Sequence, residues 1–186
     1  YDFIWDEFCD WYIEMAKPRL YGTNDNERGT ALYTLVYVLS NSLKLLHPFM
    51  PFITEELWQH LPHEGESIMI STWPEVNASE LDEAAEAEME AVMDAIRAIR
   101  NIRAEMDVPP SRKAKLILVA EPENAGLFRN ARLYFEKLAG ASEVEIKEEK
   151  DSLPPNAVSV VTGKVQIFIP LEDLIDYEKE MERLLK

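Results

Sequence analysis

Apolar positions recur every three or four residues through most of the first hundred, and the recurrence fails only at prolines and short polar stretches. Residues 2 to 17 form the first run. On a wheel of about 100° per residue, Ile4, Trp5, Phe8, Trp11, Tyr12, Met15 and Ala16 fill a broad arc, which predicts an amphipathic helix. No capping residue precedes it, so it reads as a helix already under way, cut from something longer. Pro18 ends the regular part, and residues 22 to 26 are loop. From Glu27 to Leu46, the spacing of Leu32, Leu35, Val36, Leu39, Leu43 and Leu46 predicts a second helix with a buried leucine stripe.

The stretch from Leu46 to Trp58 joins two helices through Pro48 and Pro51 with almost no polar spacer. Each proline ends or begins a helix where a missing N–H does least harm. Phe49, Met50, Phe52 and Ile53 do not suit a solvent loop, so the connector is expected to pack into a helical body. Thr54 is the expected N-cap of the next helix, which stops at Pro62. Ser67 to Pro74 is too short for a helix and reads as an extended strap. Ser79 and Asp82 resemble a capping box opening a long helix to Met106, with Met89, Val92, Ile96 and Ile99 on its core face.

Pro109-Pro110 forbids continuation and marks a boundary. Beyond it the period changes: Lys115 to Val119 predicts a strand, Asn124 to Leu138 a helix closed by Gly140, and Glu143 to Lys147 a strand with one wet face. Val158 to Val161 and Lys164 to Ile169 flank Thr162-Gly163 as a hairpin. From Glu172 the chain turns helical, and Leu174, Tyr177 or Glu178, Met181 and Leu185 begin a heptad-like pattern. The expected fold is thus mostly α, with a helical domain over 1–108, a small α+β subdomain over 109–170 and the start of a coiled coil over 171–186.

Composition narrows the function. One cysteine, Cys9, rules out an intramolecular disulfide and a cysteine-based zinc site. No apolar run approaches the ~18 residues of a membrane span, and a cytoplasmic location is expected. A net charge of −16 opposes non-specific nucleic-acid binding. Yet six basic residues (Arg97, Arg100, Arg103, Arg112, Lys113, Lys115) face only two acids, Glu105 and Asp107, between positions 97 and 115. Such an island either binds an anion at a defined place or is a solvated helix face.

Candidate catalytic groups are scarce. His47, His60 and His63 are the only histidines, and Pro62 breaks the register that would align the last two. Phosphate loops, nucleophile elbows and Cys/His pairs are absent from the sequence. Binding chemistry is better represented. Cys9, Ile13 and Lys17 fall with Asp2 and Asp6 opposite the first apolar arc, where a branched apolar side chain is out of place. Ile13 either touches another helix or forms an apolar wall for a flipped-out base, with Cys9 beside it and Lys17 or Arg19 on a phosphate. Tyr33, Tyr37, Asn41 and Lys44 form a stripe that suits either an RNA base or a half-buried seam. Arg97, Arg100 and Arg103 either contact phosphate or pair with Glu90, Asp94 and Asp107.

Four segments together resemble the C-terminal part of bacterial valyl-tRNA synthetases, class I aminoacyl-tRNA synthetases. They are Trp5 to Glu14 followed by Lys17-Pro18, then Leu46 to Trp58, then Ser67 to Glu75, then Arg100 to Glu105 leading to Val108-Pro109-Pro110. The second alone resembles all enzymes for the hydrophobic amino acids, so isoleucyl- and leucyl-tRNA synthetases are alternatives. Asp10-Trp11-Tyr12 and Pro109-Pro110 favour the valine group. The resemblance implies an anticodon-binding bundle, an α+β unit and the base of a coiled-coil arm. It implies recognition of valine tRNA through its anticodon and its elbow, with Cys9 and Ile13 lining part of an anticodon-base pocket; Lys17, Arg19, Arg97, Arg100 and Arg103, singled out above from the residues, are the candidate backbone contacts. It also implies that the catalytic and editing domains, with ATP and magnesium, belong to a longer parent. No catalytic residue, metal or cofactor is expected in this chain. The rival class is a protein-interaction module that binds no RNA.

Overall fold

The computed structural model describes residues 2–150 and 153–174, and its contacts divide the chain into two compact units, Tyr1–Leu81 and Asp82–Lys186. The first unit is helical. Its opening segment, Phe3–Ile13, is a π-helix, and it runs into α1 (Glu14–Leu20). The wider π turn redistributes side chains relative to a 3.6-residue wheel. Phe8, Trp11, Met15 and Ala16 are buried, but Trp5, expected in the core arc, is exposed. The helix also passes Pro18, two residues beyond the expected stop.

Asn24 caps α2 (Asp25–Leu46), its side chain accepting from the amides of Asn26 at 3.1 Å and Glu27 at 3.4 Å. The leucine stripe is less buried than its spacing predicts. Leu43 is covered, Leu35, Val36, Leu39 and Leu46 are half-buried, and Leu32 is exposed. The physical reason is that the main neighbours of α2 are α1 and α3 (Pro51–Gln59), which cover only part of its apolar face. Leu43, Trp58 and Ile68 make a small core, flanked by Leu39 and Leu61.

The proline connector corrects a second expectation. Phe49 is 82% and Phe52 91% exposed, with Met50 and Ile53 also on the surface. Polar atoms hold the turn instead. α3 starts at Pro51, so Thr54 lies in its first turn rather than capping it. Its hydroxyl donates to the Met50 carbonyl at 2.8 Å, leaving the oxygen to accept from His47 Nδ1 at 2.8 Å. Thr54 is fully enclosed around these bonds. A turn fixed by backbone and polar links can leave its apolar side chains facing outward. Ser67 to Ser71 is likewise no plain strap: Ile68–Ile70 forms one 3-10 turn capped by Ser67.

The second unit packs helices on a mixed sheet. Asp82, not Ser79, caps α4 (Glu83–Glu105), accepting from the Ala85 amide at 3.0 Å. Val92, Ile96 and Ile99 are buried as expected, while Met89 is exposed. β1 (Ala114–Ala120), α5 (Pro122–Asn130), α6 (Arg132–Leu138), β2 (Ala141–Lys147), β3 (Ala157–Val161) and β4 (Val165–Pro170) follow. The sheet order is β2-β1-β4-β3, with β1 and β2 parallel across the α5–α6 crossover and β3 and β4 an antiparallel hairpin. The expected single helix is therefore two, meeting at Ala131. Phe128 and Phe135 from these helices enclose the core with Leu116, Leu118, Ile167 and Ile169. α7 (Leu171–Leu174) closes the described part, and the heptad pattern beyond Leu174 lies outside the described residues.

Candidate nucleic-acid interface

The sequence-predicted residues fall into two groups, one in each unit. Cys9, Ile13, Lys17 and Arg19 lie along the opening π-helix and α1. Cys9 and Ile13 are one i,i+4 step apart and both half-buried, and the Cys9 thiol is free. Ile13 is thus neither core nor fully solvated. Lys17 and Arg19 are exposed, and Lys17 is paired with Glu14. This strip offers an apolar step with two cations beyond it, which suits an unstacked base followed by a phosphate.

Arg97, Arg100 and Arg103 are on α4, and their cationic heads face protein acceptors. Arg97 donates to Glu90 at 2.7 Å and Asp94 at 2.9 Å. The Glu90 hydrogen bond, then the Asp94 one, raises the Arg97 pKa. Arg100 Nε donates to the Leu138 carbonyl at 2.8 Å. Arg103 is only 8% exposed and donates through Nη2 to the carbonyls of Arg112 at 2.6 Å and Pro109 at 3.3 Å. Burial lowers its pKa, and its Nη1 is enclosed without an acceptor. Gly140 makes room for it: with φ +68, a Cβ there would stand 3.3 Å from the guanidinium.

The rest of the basic island is similarly engaged. Arg112 donates to the carbonyls of Asp173 at 2.7 Å and Glu172 at 2.9 Å, and Lys115 pairs with Glu145 at 3.0 Å. A charge count along the sequence sees six cations; the fold turns most of them onto carbonyls and carboxylates. Of the island's cations, Lys113 is exposed and without a partner among the described residues.

The tyrosine stripe on α2 is also accounted for. Tyr33 and Tyr37 stack at 6.1 Å between ring centroids, with Tyr33 the more exposed. Tyr37 donates to Glu80 at 3.3 Å, and the nearby Glu80 charge raises its pKa. Below them Lys44 reaches a polar cavity that the sequence did not reveal, because its walls come from α2, α3 and two separate loops. The only sequence signal was Lys44 itself, at the end of the stripe. Among the described residues, no group of three or more His, Cys, Asp or Glu is placed to hold a metal ion. No helix among them is long and apolar enough to cross a membrane.

Comparison with known proteins adds an independent line. Residues 1–118 match the family described as the anticodon-binding domain of tRNA ligase. The chain is 53% identical to a valine–tRNA ligase of Clostridium tetani, over 99% of this chain and 21% of that protein. It is 53% identical to a valine–tRNA ligase of Clostridium perfringens and 47% identical to that of Geobacillus stearothermophilus, in both over 100% of this chain and 21% of the relative. The chain therefore spans about a fifth of the length of the curated relatives it matches.

Proposed function

We propose that this chain, which belongs to the anticodon-binding domain family of tRNA ligases, is the tRNA-recognising portion of a valine–tRNA ligase. The match of residues 1–118 to that family carries the reading, and relatives near 50% identity over the whole chain give it the amino acid. Residues 1–108 serve anticodon recognition, residues 109–170 form the α+β subdomain, and residues 171–186 begin a coiled-coil arm. The parent enzyme works in the cytoplasm and joins valine to its tRNA with ATP and magnesium, through domains this chain does not contain.

Cys9 and Ile13 pack against an anticodon base in this proposal, and Lys17 and Arg19 follow the backbone. Arg97 and Arg100 are candidate phosphate contacts on the outer side of α4, and Arg103 supports them by fixing the connector beneath. A base seated on Ile13 loses water from both surfaces, while the cations neutralise phosphate nearby. The exposed face at Phe49, Met50, Phe52, Ile53 and Leu57 suits a second partner, the remaining polypeptide of the ligase.

A titration with valine tRNA and a non-cognate tRNA, at about 50 mM salt where phosphate contacts are strongest, tests the reading. Preferential binding of valine tRNA, weakened by Ile13→Asp and by Lys17→Glu, is expected. Binding without preference would favour the protein-interaction module. Sensitivity only to Arg97, Arg100 and Arg103 substitutions would move the contact to α4.

A further inference from the structure

Residues 1–81 carry four cations, Lys17, Arg19, Arg28 and Lys44. Lys17 is paired with Glu14 and Arg28 with Asp25. Lys44 makes neither an ion pair nor a hydrogen bond among the described residues. It lines a cavity of about 360 Å³ together with Ser40, Trp58, His63, Ser71 and Thr72.

The wall is rich in unspent donors. Ser40 and Thr72 make no hydrogen bond among the described residues. Trp58 is 2% exposed, and its Nε1, a donor only, is enclosed with no acceptor. The hydroxyls of Ser40 and Thr72 beside the Lys44 ammonium suit a group rich in acceptor oxygens. His63 packs tilted against Trp58, at 3.9 Å between ring centroids, and donates Nδ1–H to the Leu61 carbonyl, leaving Nε2 available. Glu64 is the one acid at this cavity and is exposed at its margin.

The same helix supplies a second observation. Tyr33, Tyr37, Asn41 and Lys44 follow one face of α2, and positions 33 to 44 span about 16 Å at the α-helical rise. The upper end holds two stacked aromatic rings and the lower end the unpaired ammonium. Aromatic platform followed by cation is the arrangement that reads unpaired nucleotides.

We propose that the Lys44 cavity binds a backbone phosphodiester of the tRNA in a single-stranded stretch, with Lys44 as counter-charge, the Ser40 and Thr72 hydroxyls as donors and Trp58 as an apolar wall. This rests on the tRNA-binding reading above but concerns a different surface from the Cys9–Ile13 strip. Free phosphate offers the same oxygens, so the test separates the two sources.

Valine tRNA is titrated into wild-type chain, Lys44→Ala, Lys44→Arg and Ile13→Asp at several salt concentrations, with inorganic phosphate titrated separately and followed by tryptophan fluorescence. Lys44→Ala should weaken tRNA binding about tenfold and reduce the slope of log K against log salt by about 0.7, the value of one single-strand phosphate contact. Lys44→Arg should restore most of both. If Lys44→Ala unfolds the chain, Lys44→Gln, which keeps the stem, takes its place. Unchanged affinity and slope in the Lys44 variants, beside a loss in Ile13→Asp, would overturn the cavity assignment while leaving the tRNA reading intact. Lys44-dependent saturation by inorganic phosphate that does not compete with tRNA would also overturn it, in favour of a free-phosphate site. No tRNA binding by wild type would remove the underlying reading and this inference together.

Discussion

The two units use similar apolar patterns to opposite ends. In residues 82–186, Ile96, Ile99, Leu118, Phe128, Phe135, Ile167 and Ile169 are sealed from solvent by helices and sheet. In residues 1–81 the equivalent inventory is split: Leu43, Trp58 and Ile68 close a small core, while Phe49, Phe52, Ile53 and Leu57 stay outside. Helical periodicity says which residues share a face. It does not say whether the same chain provides the cover. The sheet unit closes because its strands satisfy one another's backbone and two aromatic-bearing helices cover the apolar layer. The helical unit leaves part of its apolar inventory exposed.

The largest test of this contrast is Phe135→Ala. Emptying a fully enclosed aromatic site should cost about 3–5 kcal/mol, read as a shift of the urea midpoint by circular dichroism. A loss under about 1 kcal/mol would mean the sheet unit is not the closed core described, since cavities in packed interiors do not collapse that cheaply.

A smaller effect is expected at Glu55. Its carboxylate accepts from Gln59 at 2.7 Å, Ser67 Oγ at 2.7 Å and the Ile68 amide at 3.1 Å. These bonds, led by Gln59 and Ser67, hold its pKa below the usual carboxylate value. The folded form therefore keeps fewer protons than the unfolded one, so this stabilisation is full above the unfolded pKa and fades as pH falls through the folded one. Trp5, Trp11, Trp58 and Trp73, the only tryptophans, all lie in residues 1–81, so fluorescence melts follow that unit alone. Wild type should lose stability as pH falls from the unfolded carboxylate value through the lower folded one, and Glu55→Gln should flatten that loss. Identical pH profiles would remove Glu55 from the account.

The smallest effect belongs to the exposed face. Phe49→Ser with Phe52→Ser should leave the melting midpoint within about 0.5 kcal/mol of wild type and reduce binding of a hydrophobic dye. A strongly destabilised double variant would show that these rings are packed after all.

Much of the fold was legible from the sequence because period and punctuation are local. The strands expected from Lys115 to Val119 and from Glu143 to Lys147, the hairpin around Thr162-Gly163 and the burial of Val92, Ile96 and Ile99 on α4 all follow from spacing and turn residues. What stayed hidden depends on partners distant in sequence. The exposure of the Phe49–Ile53 turn follows from how few elements surround it. The π pitch at Phe3–Ile13 changes azimuths that a 3.6-residue wheel assigns. The engagement of Arg100 with Leu138 and of Arg112 with Glu172 and Asp173 joins residues 38 to 61 positions apart. The Lys44 cavity needs a turn at His63 and another at Ser71 beside two helices. The Cys9–Ile13 strip was visible only as an apolar residue out of pattern.

Arg103 has a mechanical consequence. Its guanidinium ties the last turn of α4 to the carbonyls of Pro109 and Arg112, both within the link into β1, and lies beside Gly140, just before β2. The link therefore behaves as a splinted joint rather than a hinge.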